Sequence, residues 1–221
     1  MSAVRHHVRN LALVALVSAA AVQMAGDDGT GRPSHRLVGM ICFLASEVTF
    51  FAAFLVAYGV YCTQSISGPQ PNDLLEFWPA TIAIIVLVIT SLGLFGVPKA
   101  LLSGQFLLAG FLLLLPSLGS AWFLYSTIHE WLGLINGDPS LTIRTNLFGT
   151  VYFGLLGLDL AHVFMGGTVM AFTCICAFTG RLGRGTAETL FVMALFYWFV
   201  VLASVVVWLM IYVVFLDWVP S

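Results

Sequence analysis

Apolar residues fill this chain in long unbroken runs, and the polar positions gather in short clusters between them. Five runs reach the roughly 20 residues that a helix needs to cross a bilayer. They lie at about 37–62, 79–97, 105–128, 146–179 and 188–216. A backbone in hydrocarbon must satisfy its own hydrogen bonds, which leaves helices and closed barrels. The runs lack the apolar/polar alternation of barrel strands. The pattern therefore predicts an all-α polytopic membrane protein with five transmembrane helices in a bundle. Trp78-Pro79 suits the first turn of the second span, and Pro116 predicts a kink in the third. The last two runs exceed the hydrocarbon thickness and are expected to tilt or project beyond it.

Composition agrees with the pattern. Of 221 residues, 60% are hydrophobic and 8% are charged, against about 25% charged in an ordinary soluble domain. The net charge of −2 gives no argument for a nucleic-acid partner. Cys42, Cys62, Cys174 and Cys176 form no CxxC pair and no disulfide framework; they read as small apolar fillers. No internal repeat is evident.

Loop charges fix an expected orientation. Arg32 and Arg36 precede the first span, Lys99 follows the second, and Arg181 and Arg184 follow the fourth. With five spans these fall on one side, whereas the opposite loops, 63–77 and 129–145, contain Arg144 as their only Lys or Arg. The expected arrangement is a cytoplasmic N-terminus and a periplasmic C-terminus in a bacterial inner membrane or its equivalent. Residues 10–25 form a shorter apolar segment after Arg5 and Arg9. Spanning would move those arginines outside, and cleavage as a signal would invert the remaining charges, so an interfacial helix or loosely packed arm is expected. Residues 1–36 are thus an arm and linker, and 37–221 the membrane domain.

Three titratable residues lie deep. Glu47 is the only charge between Leu37 and Cys62. Asp159 and His162 lie in the fourth run, three apart and so on neighbouring positions of one helix face. A carboxyl group at such depth is costly and usually has a functional or assembly reason. A proton or ion path, an assembly contact with a partner helix, and a local structural pair are the competing readings. A bis-histidine haem needs two deep imidazoles, and only His162 is deep; His129 falls near the end of the third run. No set of N or S ligands for copper or zinc is visible. No catalytic, cofactor-binding or metal-binding residue is therefore assigned to this chain. Gly157 with Ala161, and Gly166 with Gly167, mark close helix contact. Trp78, Trp131 and Trp218 read as interfacial anchors.

Over about 37–216 the chain resembles subunit III of the haem-copper terminal oxidases, in its short five-helix form. The segment Gly39-Met40-Ile41-Cys42-Phe43-Leu44-Ala45-Ser46-Glu47-Val48-Thr49-Phe50-Phe51 is similar to the family's first-helix pattern. His129-Glu130-Trp131-Leu132-Gly133-Leu134-Ile135 is close to its Glu-Trp-x-x-Leu-Ile, and Asn146 to Phe153 opens the fourth span as in the family. Gly157-Leu158-Asp159-Leu160-Ala161-His162-Val163 with Gly166-Gly167 resembles Gly-x-His-x-x-His-Val-x-x-Gly. Two departures stand out. Asp159 replaces the family's first histidine there, and Tyr197-Trp198-Phe199-Val200-Val201-Leu202 lacks the histidine and aspartate of Tyr-Trp-His-Phe-Val-Asp.

The resemblance implies an accessory subunit without a redox centre. Haem and copper are expected on partner subunits, with subunit I as the main partner and subunit II and other respiratory subunits beside it. Bound phospholipid is expected in a cleft near Glu47, together with support of proton uptake and oxygen access. Whether the complex takes electrons from cytochrome c or quinol is left open. An accessory protein of nitric oxide reductase and a small proton-coupled transporter are the alternatives. One further expectation is that Asp159 replaces the lost carboxylate and pairs with His162 within the fourth span.

Overall fold

The computed structural model describes residues 34–61, 74–182 and 186–214. Five helices in it are long and apolar enough to cross a membrane, and they pack together into an all-α bundle. The first span is α1, His35–Tyr61. The second is composite: α2, Phe77–Ser91, runs through a 3-10 stretch, Leu92–Gly96, into α3, Val97–Leu102. The third is α4, Phe106–Asn136, and the fourth α5, Leu147–Phe178. The fifth is α6, Ala187–Trp208, which closes in a π-helical turn, Leu209–Val214. The arm expected at 10–25, Cys62 and Trp218 lie outside the described residues.

Two spans are longer than the hydropathy pattern predicts. The second starts at Phe77 and continues to Leu102, past Pro98, because a new helix begins at Val97 and proline is tolerated in a first turn. The third continues eight residues beyond position 128, to Asn136. His129-Glu130 reads as a boundary in sequence, yet Glu130 finds partners inside the bundle and the helix carries on. α4 also runs through Pro116. Proline at 116 leaves the carbonyl of Leu112 without its usual helical donor. That carbonyl faces Gly93 of the 3-10 stretch, at 2.9 Å from where a Cβ would stand. A residue without a side chain is what lets the second span cross there.

α5 begins at a built cap: Asn146 Oδ1 accepts a hydrogen bond from the Gly149 N–H at 2.8 Å, which satisfies one of the open donors of the first turn. Serine and threonine hydroxyls inside the helices mostly donate to carbonyls three or four residues back, as Thr81, Thr127 and Thr173 do. That is the economical way to carry a hydroxyl through hydrocarbon.

α4 and α5 share the most extensive interface; α2 packs on α4, α6 on α5, and α2 and α6 meet each other to close the group. Small residues make the close seams. A Cβ on Gly119 of α4 would overlap Thr90 of α2, and one on Gly167 of α5 would stand 2.6 Å from Ser120 of α4. Gly166 lies against the Tyr197 ring of α6. The contact role expected for Gly166 and Gly167 is thus filled by α4 and α6 of the same chain. α1 packs differently: it leans on α5 and α6 and buries only Leu37, Phe51 and Tyr58. Val38, Ile41, Val48, Phe50 and Val56 face outward. Arg36 Nη1 donates to Thr189 Oγ1 at 2.8 Å, so the starts of α1 and α6 share one end of the bundle, as five antiparallel crossings require.

Candidate functional site

Buried polar side chains on α4, α5 and α6 fall into three levels along the bundle. Seven-residue steps connect neighbouring levels: Ser120 and Thr127 on α4, Tyr152 and Asp159 on α5, Tyr197 and Ser204 on α6. Residues seven apart return to the same helix face, so three facing stripes meet. At the level nearest the Arg36 end, Tyr197 Oη donates to the Pro116 carbonyl at 2.9 Å and shares a 2.8 Å hydrogen bond with Ser120 Oγ. At the middle level, Ser204 Oγ lies 2.8 Å from Asp159 Oδ1, to which it donates. At the far level, Tyr212 Oη donates to Glu130 Oε1 at 2.6 Å, with Tyr152 Oη at 3.3 Å from the same oxygen.

A separate tie joins α1 to α5. His162 Nε2 lies 3.0 Å from Glu47 Oε2. The other ring nitrogen, Nδ1, is 2.8 Å from the Leu158 carbonyl one turn back. If Nδ1 donates there, Nε2 faces the carboxylate as a donor only in the doubly protonated ring. Phe51 stands edge-on to the imidazole at a centroid distance of 5.0 Å. Both hydrogen-bonding ends of His162 are therefore occupied.

The expected pairing of Asp159 with His162 is overturned. Asp159 hydrogen-bonds Ser204 of α6, whereas His162 hydrogen-bonds Glu47 of α1. Positions three apart on a helix differ by roughly 60° in direction. On α5, enclosed by α1, α4 and α6, that angle is enough to aim the two side chains at different neighbours. Of the three deep residues the structure brings two together, Glu47 and His162, and leaves Asp159 in a different cluster. Asp159 is 1% exposed and His162 7%, while Glu47 is half-buried.

Sequence reasoning missed Ser204, Tyr152 and Tyr212, and took Glu130 only as part of a terminal motif. For Tyr152 and Ser204 the available signal was the seven-residue recurrence of polar positions on successive apolar runs; Glu130 and Tyr212 fall outside that spacing. Tyr197 stands out in the sequence only beside the missing histidine and aspartate, yet its ring is fully buried and its hydroxyl bonded. Trp131 packs edge-on against Phe153 at 5.1 Å, with its indole nitrogen buried and unpartnered, so it is wedged between helices as well as lying near a span end. Cys174 turns inward toward the Gly110 carbonyl, and Cys176 is half-buried.

Chemically, the α4–α6 stripes offer two carboxyl groups, Glu130 and Asp159, and three phenols, Tyr152, Tyr197 and Tyr212, within hydrogen bonds, a set suited to holding or passing protons. The Glu47–His162 pair offers an ionisable clasp between an outer helix and the core. Among the described residues, no three His, Cys, Asp or Glu side chains gather as a metal ligand set. No protein-family model matches the chain.

Proposed function

We propose that this chain is an accessory membrane subunit of the subunit III type, serving a haem-copper terminal oxidase that reduces oxygen and pumps protons. The observation that carries the reading is the clasp between Glu47 and His162. Two of the segments on which the resemblance rests, one on the first span and one on the fourth, contribute the two residues that meet at 3.0 Å. Segments 115 residues apart that resemble one family and also touch are a stronger support than either alone. The thinly packed α1, with its row of outward apolar side chains, suits a helix that lies between its own bundle and lipid or a larger partner. An open apolar groove of about 570 Å³ between α2 and α4, lined by Val86, Thr90, Leu118 and Trp122, offers a seat for an acyl chain, on helices other than those of the Glu47–His162 clasp where the resemblance implies the lipid cleft. On this reading haem and copper sit on subunit I and its neighbours, the N-terminus is cytoplasmic and the C-terminus periplasmic.

The experiment is purification of the tagged full chain in mild detergent from its native membrane. The expected result is a complex with a haem absorbance spectrum and stoichiometric copper. A nitric oxide reductase partner would bring haem and iron without copper. A stable, haem-free particle that couples solute uptake to a proton gradient in liposomes would overturn the reading in favour of an independent transporter.

A further inference from the structure

We propose that Asp159 is the inner end of a one-sided, water-mediated proton-exchange path, which opens past Ser126 and Glu130 to the bundle end bearing residues 74–76 and 137–139. Burial, orphaned polar atoms and two adjoining spaces carry the inference together. Asp159 Oδ1 accepts from Ser204, but Oδ2 is buried and has no hydrogen-bond partner. Trp208 Nε1 is likewise buried and unpartnered. Both residues line one cavity of about 20 Å³, enough for a single water, and a buried water takes two to four polar partners. Glu130 and Tyr212 line the same cavity, with Ser126 and Thr127 beside them. A carboxylate oxygen and an indole N–H left without partners in hydrocarbon are costly. One water accepting from the indole and facing the carboxyl group satisfies both.

A second space adjoins the first. An open pocket of about 580 Å³ is lined by Glu76, His129, Gly137 and Asp138 among others, and also by Ser126 and Glu130. Those last two are the residues that line both spaces. They stand one turn apart on α4, so one helix face forms the partition between the wide pocket and the inner water. The other way is shut. Toward the Arg36 end, Phe123, Val163 and Val200 are buried in the apolar core, and Ser120, Tyr197 and Gly167 close on one another behind them. His162 belongs to the clasp with Glu47 and does not line the cavity. Among the described residues, the titratable groups facing the path are thus Glu130, His129 and Tyr125 from α4, Asp138 just beyond it, Tyr152 from α5, Tyr212 from the end of α6, and Glu76 ahead of α2.

The step is a simple transfer. Glu130 gives its carboxyl proton to the inner water as that water gives one of its own to the Asp159 carboxylate. Glu130 then takes a proton from water in the open pocket. One proton moves inward and the water is unchanged; release runs in reverse. Asp159 can therefore charge and discharge in contact with one aqueous phase alone, which the loop charges assign to the periplasmic side.

Infrared difference spectroscopy on the full chain in oriented vesicles tests this. The Asp159 signal is defined as the carboxyl band lost in Asp159→Asn. It should change after a pH jump on the side bearing residues 137–139, and not after a jump on the other side. Glu130→Gln and Ser126→Leu, the latter plugging the partition from a half-exposed position, should each slow the response by at least about tenfold. Gly39→Ala on the open face of α1 should leave it unchanged. Should Glu130→Gln fail to fold, Ser126→Leu carries the same test. An Asp159 signal that ignores pH, that follows the opposite side, or that is equally fast with the partition residues changed overturns the proposal. None of these outcomes depends on which complex the chain serves.

Discussion

α1 and α5 make an instructive pair. Both are long apolar helices, of 27 and 32 residues, and by hydropathy α1 is the more apolar. Yet α1 buries three of its residues and α5 fifteen. Hydropathy reports suitability for lipid. It does not report which helix the others surround. What separates the two is the distribution of small and polar residues. α5 carries Tyr152, Asp159 and Gly166 seven residues apart along one stripe, with Gly167 beside it, so α4 and α6 can approach closely and hydrogen-bond to it. α1 has Gly39, whose missing Cβ would meet nothing within 4 Å, and Glu47 as its polar tie to the core. In a bilayer the gain from helix association comes from close contact and interhelical hydrogen bonds, since lipid is as apolar as leucine. The glycines and polar stripes thus decide the centre of the bundle.

The sharpest way to break that contrast is Gly167→Leu. The new side chain would have to displace Ser120, and with it the Tyr197 hydroxyl, so a loss of about 1–3 kcal/mol is expected from overpacking, seen as a lower unfolding midpoint in detergent. Next comes Tyr212→Phe, which removes the 2.6 Å bond to Glu130 from the far level of the stripes. About 1–2 kcal/mol should be lost in the same assay, with the bundle still assembled. Glu47→Ala acts on the outer helix and should cost about 1 kcal/mol. On the oxidase reading it should shorten the working life of the complex more than its initial rate. Immediate, total loss of oxygen reduction from an intact complex would contradict that. The smallest effect belongs to Gly39→Leu, expected within about 0.5 kcal/mol of wild type. A cost there equal to that of Gly167→Leu would mean that α1 is buried against something after all.

The sequence made the spans legible because length and apolarity are local properties. It was less informative about their ends. Glu130 resembles a boundary residue until the phenols of Tyr152 and Tyr212, supplied by two other helices, are seen to receive it. Pro98 resembles a terminator, yet it sits in the first turn of a new helix. The site was half legible. Depth alone singled out Glu47, Asp159 and His162, but depth has no direction around the helix axis. The sharing of a face by Asp159 and His162 pointed to a pair, and the 60° between them sent each to a different neighbour. Ser204 and Tyr212 carry no charge; a lone hydroxyl such as Ser204 draws no notice until its seven-residue relation to Tyr197 is set against the adjoining helices, and Tyr212, eight further on, falls outside even that pattern.

The π-helical turn at Leu209–Val214 bears on how the last helix could be shortened. Tyr197 and Ser204 are seven apart, but Tyr212 comes eight after Ser204, one position late for an ordinary helix. A wider turn advances each residue through a smaller angle, and so it absorbs the surplus residue and still brings the phenol over Glu130. Met210 is then dispensable for that reach: with it deleted, the helix can close at ordinary pitch with the same tyrosine in the same seat. A deletion chain as stable as the full one would bear this out, and one that fails as badly as Tyr212→Phe would show that the widened pitch itself is needed.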